Sequence, residues 1–137
     1  MRGISLLLTF SAILTAQVPF DRIVKAHSES ANWLTYSGDY QGHAYSALDQ
    51  MNTKTIGNLK IAWMYQTGRS HHFETTPLVI DGVMYITEPP SDVTALDLRT
   101  GRPVWKYRRS LPEKLVVCCG QVNGGWRFWM TNCLSVQ

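Results

Sequence analysis

The adjacent pair Cys118-Cys119 is the most unusual chemical feature of this sequence. Disulfides ordinarily join residues whose Cα atoms lie ~4.4–6.8 Å apart, whereas neighbours across a trans peptide are held at ~3.8 Å. A bond between Cys118 and Cys119 therefore closes a tight ring with a distorted peptide, and such strain tends to be kept where it serves a site. Two other states stay open on the residues alone: both thiols reduced in a buried strand, or one of them bonded to Cys133. His71-His72 raises metal binding, but neighbouring side chains on an extended chain point to opposite faces. No Cys or carboxylate stands at ligand spacing to complete a set, so they read as loop residues. His27 and His43 carry no recognisable constellation. The Arg108-Arg109 doublet reads as a solvated strand end, because 17% charged residues and a net charge of +3 make no basic field for nucleic acid.

The elements that must position these groups are short strands. A chain of 137 residues holds one domain at most, and its five Trp and six Tyr favour pleated, half-buried strands over helices. Leu78–Ile80 and Val83–Ile86 flank Asp81-Gly82, a two-residue hairpin signal in which both central residues need positive φ. Val93–Leu96 and Val104–Tyr107 flank a longer turn at 98–102, with Gly101 supplying a left-handed residue and Pro103 opening the next strand. Ile61–Gln66 alternates apolar and polar positions and is expected to be a strand. Asn52 and its neighbours cap a short helical turn through Ile56 and Leu59. Strands this short, recurring with turns between them, indicate a sandwich or a propeller.

The turn decides between the two. Ala95, Asp97, Thr100, Gly101 and Trp105 fall at the spacing A-x-D-x-x-T-G-x-x-x-W. This resembles the tryptophan-docking motif of the quinoprotein dehydrogenases, whose eight-bladed propellers hold pyrroloquinoline quinone (PQQ). NWLTYSGDYQGHAYSALDQMN followed by LKIAWMYQTG looks like the N-terminal part of the PQQ-dependent alcohol and methanol dehydrogenases, and VVCCGQVN at Val116–Asn123 is similar to their adjacent-cysteine segment. The resemblance runs from about Ile23 to Asn123. It implies an all-β chain comprising about one blade and the N-terminal lead-in of an eight-bladed ring. It further implies that Glu74 hydrogen-bonds the cofactor and that Cys118 and Cys119 form a vicinal disulfide lying as a lid on the quinone. For the intact family it implies oxidation of primary alcohols to aldehydes, with PQQ, calcium and a periplasmic cytochrome as electron acceptor. The resemblance places the calcium ligands and the general base outside this chain, so no residue here is assigned to hydride or proton transfer. A non-catalytic propeller scaffold shares the docking motif but needs neither Glu74 nor the cysteine pair. A free-standing redox protein is disfavoured by the absence of a C-x-x-C arrangement.

Both ends of the sequence carry further expectations. Arg2 precedes an apolar run, Ile4–Leu14, with the length of a signal-peptide core and too short to span a bilayer. Residues 1–17 are expected to direct export to the periplasm, an oxidising compartment where cysteines pair. After the cysteines the family reads N-R-G, whereas here Gly124-Gly125 follows Asn123, and Trp126–Gln137 lacks strand alternation. A one-base loss after the Asn123 codon accounts for this. The codons of Trp129, Met130 and Thr131 force two aspartates in the neighbouring frame, and the recovered text, N-R-G-L-A-V-L-D-D-K-L-F-V-G-T, restores the arginine. Residues 18–123 are thus expected to be propeller and 124–137 a frame-shifted tail on a chain that is inactive alone.

Overall fold

A computed structural model describes residues 18–68 and 72–112, together with the backbone of Trp126–Trp129 and Asn132–Ser135. Four strands, β1 (Leu78–Ile80), β2 (Val83–Glu88), β3 (Asp92–Asp97) and β4 (Pro103–Tyr107), form one antiparallel sheet in the order β1-β2-β3-β4. The hairpin forms where expected: Asp81 and Gly82 have φ of 50° and 80°, the pair of left-handed residues that matches strand twist. Register then follows without a slip from Val83 opposite Asp97 to Glu88 opposite Asp92. A bulge between Ala95 and Leu96 re-aims the last pairs, so that Leu96 faces Pro103.

The next turn is built by one carboxylate. Asp97 Oδ1 accepts from the Thr100 N–H and the Thr100 hydroxyl, both at 2.7 Å, and the Gly101 N–H returns to the Asp97 carbonyl at 2.8 Å. Those two Thr100 bonds hold the Asp97 carboxyl below its ordinary range. Gly101 takes φ 69°, a conformation that suits a residue without Cβ.

Strand alternation puts Tyr85, Ala95 and Trp105 on one face of the sheet and Ile86, Thr94 and Lys106 on the other. Both faces are covered over β3, where Val93, Thr94 and Ala95 have no exposed surface. An N-terminal layer starts with a helix, α1 (Phe20–Val24), and packs Ala26 and Leu34 against Ile80, with Val18 and Tyr85 beside them. Trp33 pairs with Val79 through two backbone bonds. Arg22 ties this layer to the hairpin tip: its guanidinium donates to both Glu29 oxygens and both Asp81 oxygens.

A short 3₁₀ turn, Ile56–Asn58, stands where a helical turn was expected, and Asn52 Oδ1 caps the residues before it by accepting from Lys54 and Thr55 N–H. Beyond it, residues 59–68 form an arm. Trp63, Tyr65 and Thr67 are half-buried while Met64 and Gln66 are exposed, the period of a strand. Yet Ile61–Gln66 has no ladder among the described residues, which corrects the expectation of a strand: side-chain period is local, whereas a strand needs a partner.

The tail also departs from expectation. Trp126–Trp129 and Asn132–Ser135 pair as a two-stranded antiparallel hairpin, β5 and β6, although no alternation marks them. Three aromatics in four residues supply strand propensity without a period-two pattern. Residues 1–17, carrying the expected signal peptide, and Cys118-Cys119 lie outside the described residues.

Candidate functional site

An antiparallel sheet sorts its connections to two ends. The start of β1, the end of β2, the start of β3 and the end of β4 share one end; the Asp81-Gly82 hairpin and the Asp97–Gly101 turn occupy the other. Glu74, four residues ahead of β1, belongs to the first end. Its carboxylate is exposed and has no hydrogen-bond partner among the described residues, leaving its acceptor lone pairs available to a ligand. The chain leaves β4 at this same end through exposed Arg108 and Arg109, and Cys118-Cys119 follow in sequence, outside the described residues. Glu74 and the exit of the chain from β4 therefore share one end of the blade.

At the same end of the blade lies a group that sequence reasoning missed. Glu88, at the end of β2, is wholly buried. It accepts from the Thr94 hydroxyl at 2.6 Å, the Tyr65 hydroxyl at 3.1 Å and the Lys106 ammonium at 2.6 Å. Burial pushes the Glu88 carboxyl up, but the Lys106, Thr94 and Tyr65 bonds outweigh it and hold the group below its usual value of 4.5. The charged form is thus the stable one, in a pair that also anchors the arm through Tyr65. Nearby, the Thr87 N–H donates to Thr75 Oγ1 at 3.1 Å, tying the residue after Glu74 to the residue before Glu88.

The opposite end carries the docking seat, and the tryptophan that fills it here is Trp63, from the arm ahead of the sheet. Trp63 donates its indole N–H to the Leu98 carbonyl at 2.8 Å and lies over Gly101. A Cβ on Gly101 would meet the Trp63 ring at 2.5 Å, so contact and φ both require glycine. Trp105 is instead 42% exposed, with its ring 6.0 Å from that of Tyr85. The missed signal was an internal repeat, Trp63-x-Tyr65 and Trp105-x-Tyr107, spaced 42 residues apart as blades of a repeat protein are.

The histidines do not gather. His72 is exposed, and among the described residues no three His, Cys, Asp or Glu side chains stand together to hold a metal. His43 does gain a partner, since its Nδ1 lies 2.7 Å from Asp39 Oδ2. This pair borders an open cleft of about 570 Å³ in the N-terminal layer, lined also by Trp33 and Tyr45 and by neither Glu74 nor Glu88.

A four-stranded antiparallel unit whose Asp-x-x-Thr-Gly turn seats a tryptophan from outside the sheet is a β-propeller blade. Residues 33–132 match the family described as PQQ, "Glucose/ethanol/alcohol dehydrogenase, beta-propeller domain", and the chain belongs to that family. The dehydrogenase subunit of the quinone-linked alcohol dehydrogenase of Gluconacetobacter polyoxogenes is 40% identical over 111 residues, covering 80% of this chain and 15% of that protein. The quinohemoprotein alcohol dehydrogenase ADH-IIG of Pseudomonas putida is 38% identical over 121 residues, covering 87% of this chain and 17% of that one. The solved structure of ADH-IIG superposes with a TM-score of 0.76 at 36% identity, over 87% of this chain and 18% of that one. A europium-containing methanol dehydrogenase gives 0.75 at 31%, over 84% and 21%. The chain spans about 15% of the length of the curated relatives it matches. No helix among the described residues is long and apolar enough to cross a membrane.

Proposed function

We propose that this chain supplies one blade and part of the cofactor wall of a quinoprotein alcohol dehydrogenase. In this reading Glu74 accepts a hydrogen bond from PQQ, and Cys118 and Cys119, joined as a vicinal disulfide, close over the quinone. The observation that carries it is the placement of Glu74: an exposed carboxylate without a partner among the described residues, at the end of the blade from which the chain departs towards the cysteines. Those residues fit the group, since a free carboxylate offers acceptors for an N–H or O–H of the cofactor. Bound PQQ supplies the two-electron quinone chemistry of alcohol oxidation. The part played by this chain is to bind, orient and cover; proton and hydride transfer belong to groups it does not provide.

The remaining assignments rest on the same family. The substrate is a small primary alcohol, calcium accompanies PQQ in the intact enzyme, and a cytochrome c receives the electrons, as the names of relatives such as the cytochrome c-linked 1-butanol dehydrogenase of Thauera butanivorans suggest. Residues 1–17 direct export to the periplasm, and residues 124–137 are read from a shifted frame. The locus tests the last point: propeller text continuing in the neighbouring frame after Asn123 supports it, and its absence overturns it.

The function itself is tested by grafting residues 33–123 of this chain into ADH-IIG in place of the matching segment. Retained quinone absorbance and alcohol-dependent dye reduction support the assignment. A folded graft that takes up no PQQ contradicts it.

A further inference from the structure

We infer that Glu88 is the positioning residue for Glu74: a buried charged latch that fixes the cofactor end of the blade only while the arm is docked. This deepens the proposed role of Glu74 and rests on that reading.

The ladder between β1 and β2 ends at Leu78 opposite Tyr85, so residues 74–77 run beyond it. What ties them down is the bond from the Thr87 N–H to Thr75 Oγ1, made by the residue directly before Glu88. Glu88 is itself immobilised on three sides. Thr94 holds it from β3, Lys106 from β4, and Tyr65 from the arm, at 2.6, 2.6 and 3.1 Å. These partners are 6, 18 and 23 residues away in sequence. One buried carboxylate therefore joins the arm, β3 and β4 at the residue next to Thr87, which holds Thr75 in the segment that carries Glu74. Leaving Glu88 without Lys106 leaves an uncompensated charge with no exposed surface, and leaving Lys106 without Glu88 leaves an ammonium only 23% exposed. The local consequence is release of the end of β2 and of the Thr75 bond with it.

Neither the adjacency nor the spacing marks Glu88 as functional, and the chemistry of the quinone does not call on it. Its role is mechanical and electrostatic. Tyr65 makes the latch conditional, because the arm that carries it also fills the Gly101 seat through Trp63 at the opposite end. The blade end that presents Glu74 is thus completed by residues that precede the blade.

The test follows amide hydrogen exchange in the full 137-residue chain. The Thr87 amide reports the bond to Thr75, and the Gly101 amide, bonded to the Asp97 carbonyl, reports the far end. Glu88→Gln and Lys106→Met are each expected to accelerate exchange at Thr87 at least tenfold while changing Gly101 less than threefold. The double variant, which leaves neither charge unpaired, is expected to return Thr87 to within threefold of the parent. Tyr65→Phe is expected to accelerate Thr87 by a smaller factor. Unchanged Thr87 exchange in both single variants overturns the proposal, as does equal acceleration at Thr87 and Gly101, or a double variant that exchanges faster than either single one. The amide readout needs no cofactor, so a failure to bind PQQ counts against the role of Glu74 and is seen separately.

Discussion

Glu88 has no exposed surface, and its charge survives burial because Lys106, Thr94 and Tyr65 together replace the water it lost. Removing the carboxylate leaves the Thr94 hydroxyl and the partly exposed Lys106 ammonium without their acceptor, so Glu88→Ala is expected to cost roughly 2–3 kcal/mol, measured by urea denaturation. The pH dependence has a definite sign. Because the folded carboxyl lies below its usual value of 4.5, its contribution is present above that value and is lost as pH falls through the folded one. Acid titration of the urea midpoint is expected to show this loss in the parent and to lack it in Glu88→Gln. A parent whose midpoint rises as pH falls below 4.5 would contradict the assignment. Glu74 differs in kind, since it stands exposed and shares in no such network among the described residues.

The Gly101 turn and the arm that docks on it make one element, although they are far apart in sequence. Gly101→Ala meets both a positive φ and the Trp63 ring at 2.5 Å, so a loss of about 2 kcal/mol or more is expected from backbone strain and displacement of the ring. Trp63→Ala vacates the same seat and is expected to cost roughly 2–3 kcal/mol, less than a fully buried Trp. If the two variants combined cost as much as their sum, the seat and the ring are not coupled as described. The strands of the blade were legible because their signals are local: Asp81-Gly82 fixes one turn and the Asp97–Gly101 sequence the other. The role of Trp63 was not legible because it stands 38 residues ahead of Gly101 and meets that turn only in space, whereas Trp105 completes the motif in sequence. Glu88 was illegible for a physical reason. A glutamate reads as exposed until Lys106 and Tyr65, 18 and 23 residues away, are brought against it. The β5–β6 hairpin was not legible because Phe128-Trp129 and Cys133-Leu134 put apolar residues side by side and break the alternation.

The whole chain exposes surface that a closed ring would cover. Ile61 and Met64 are 80% and 85% exposed on the arm, and Val104 and Tyr107 stand exposed on β4, an edge strand of the sheet. Unpaired edges with apolar side chains associate. Light scattering of the isolated chain is expected to show concentration-dependent assembly, reduced by Val104→Lys, while an ideal monomer at all concentrations would contradict this account of the surface. The isolated chain mixed with PQQ and calcium is expected to form no stable complex, because one wall of a site binds weakly without the others; tight one-to-one binding would show that this chain holds the cofactor by itself. The central claim, that Glu74 faces the quinone, is tested most directly by titrating PQQ into the ADH-IIG graft with and without Glu74→Ala. Loss of one hydrogen bond to a charged acceptor predicts a Kd about tenfold or more weaker in the variant, with the fold intact; an unchanged Kd would contradict the claim.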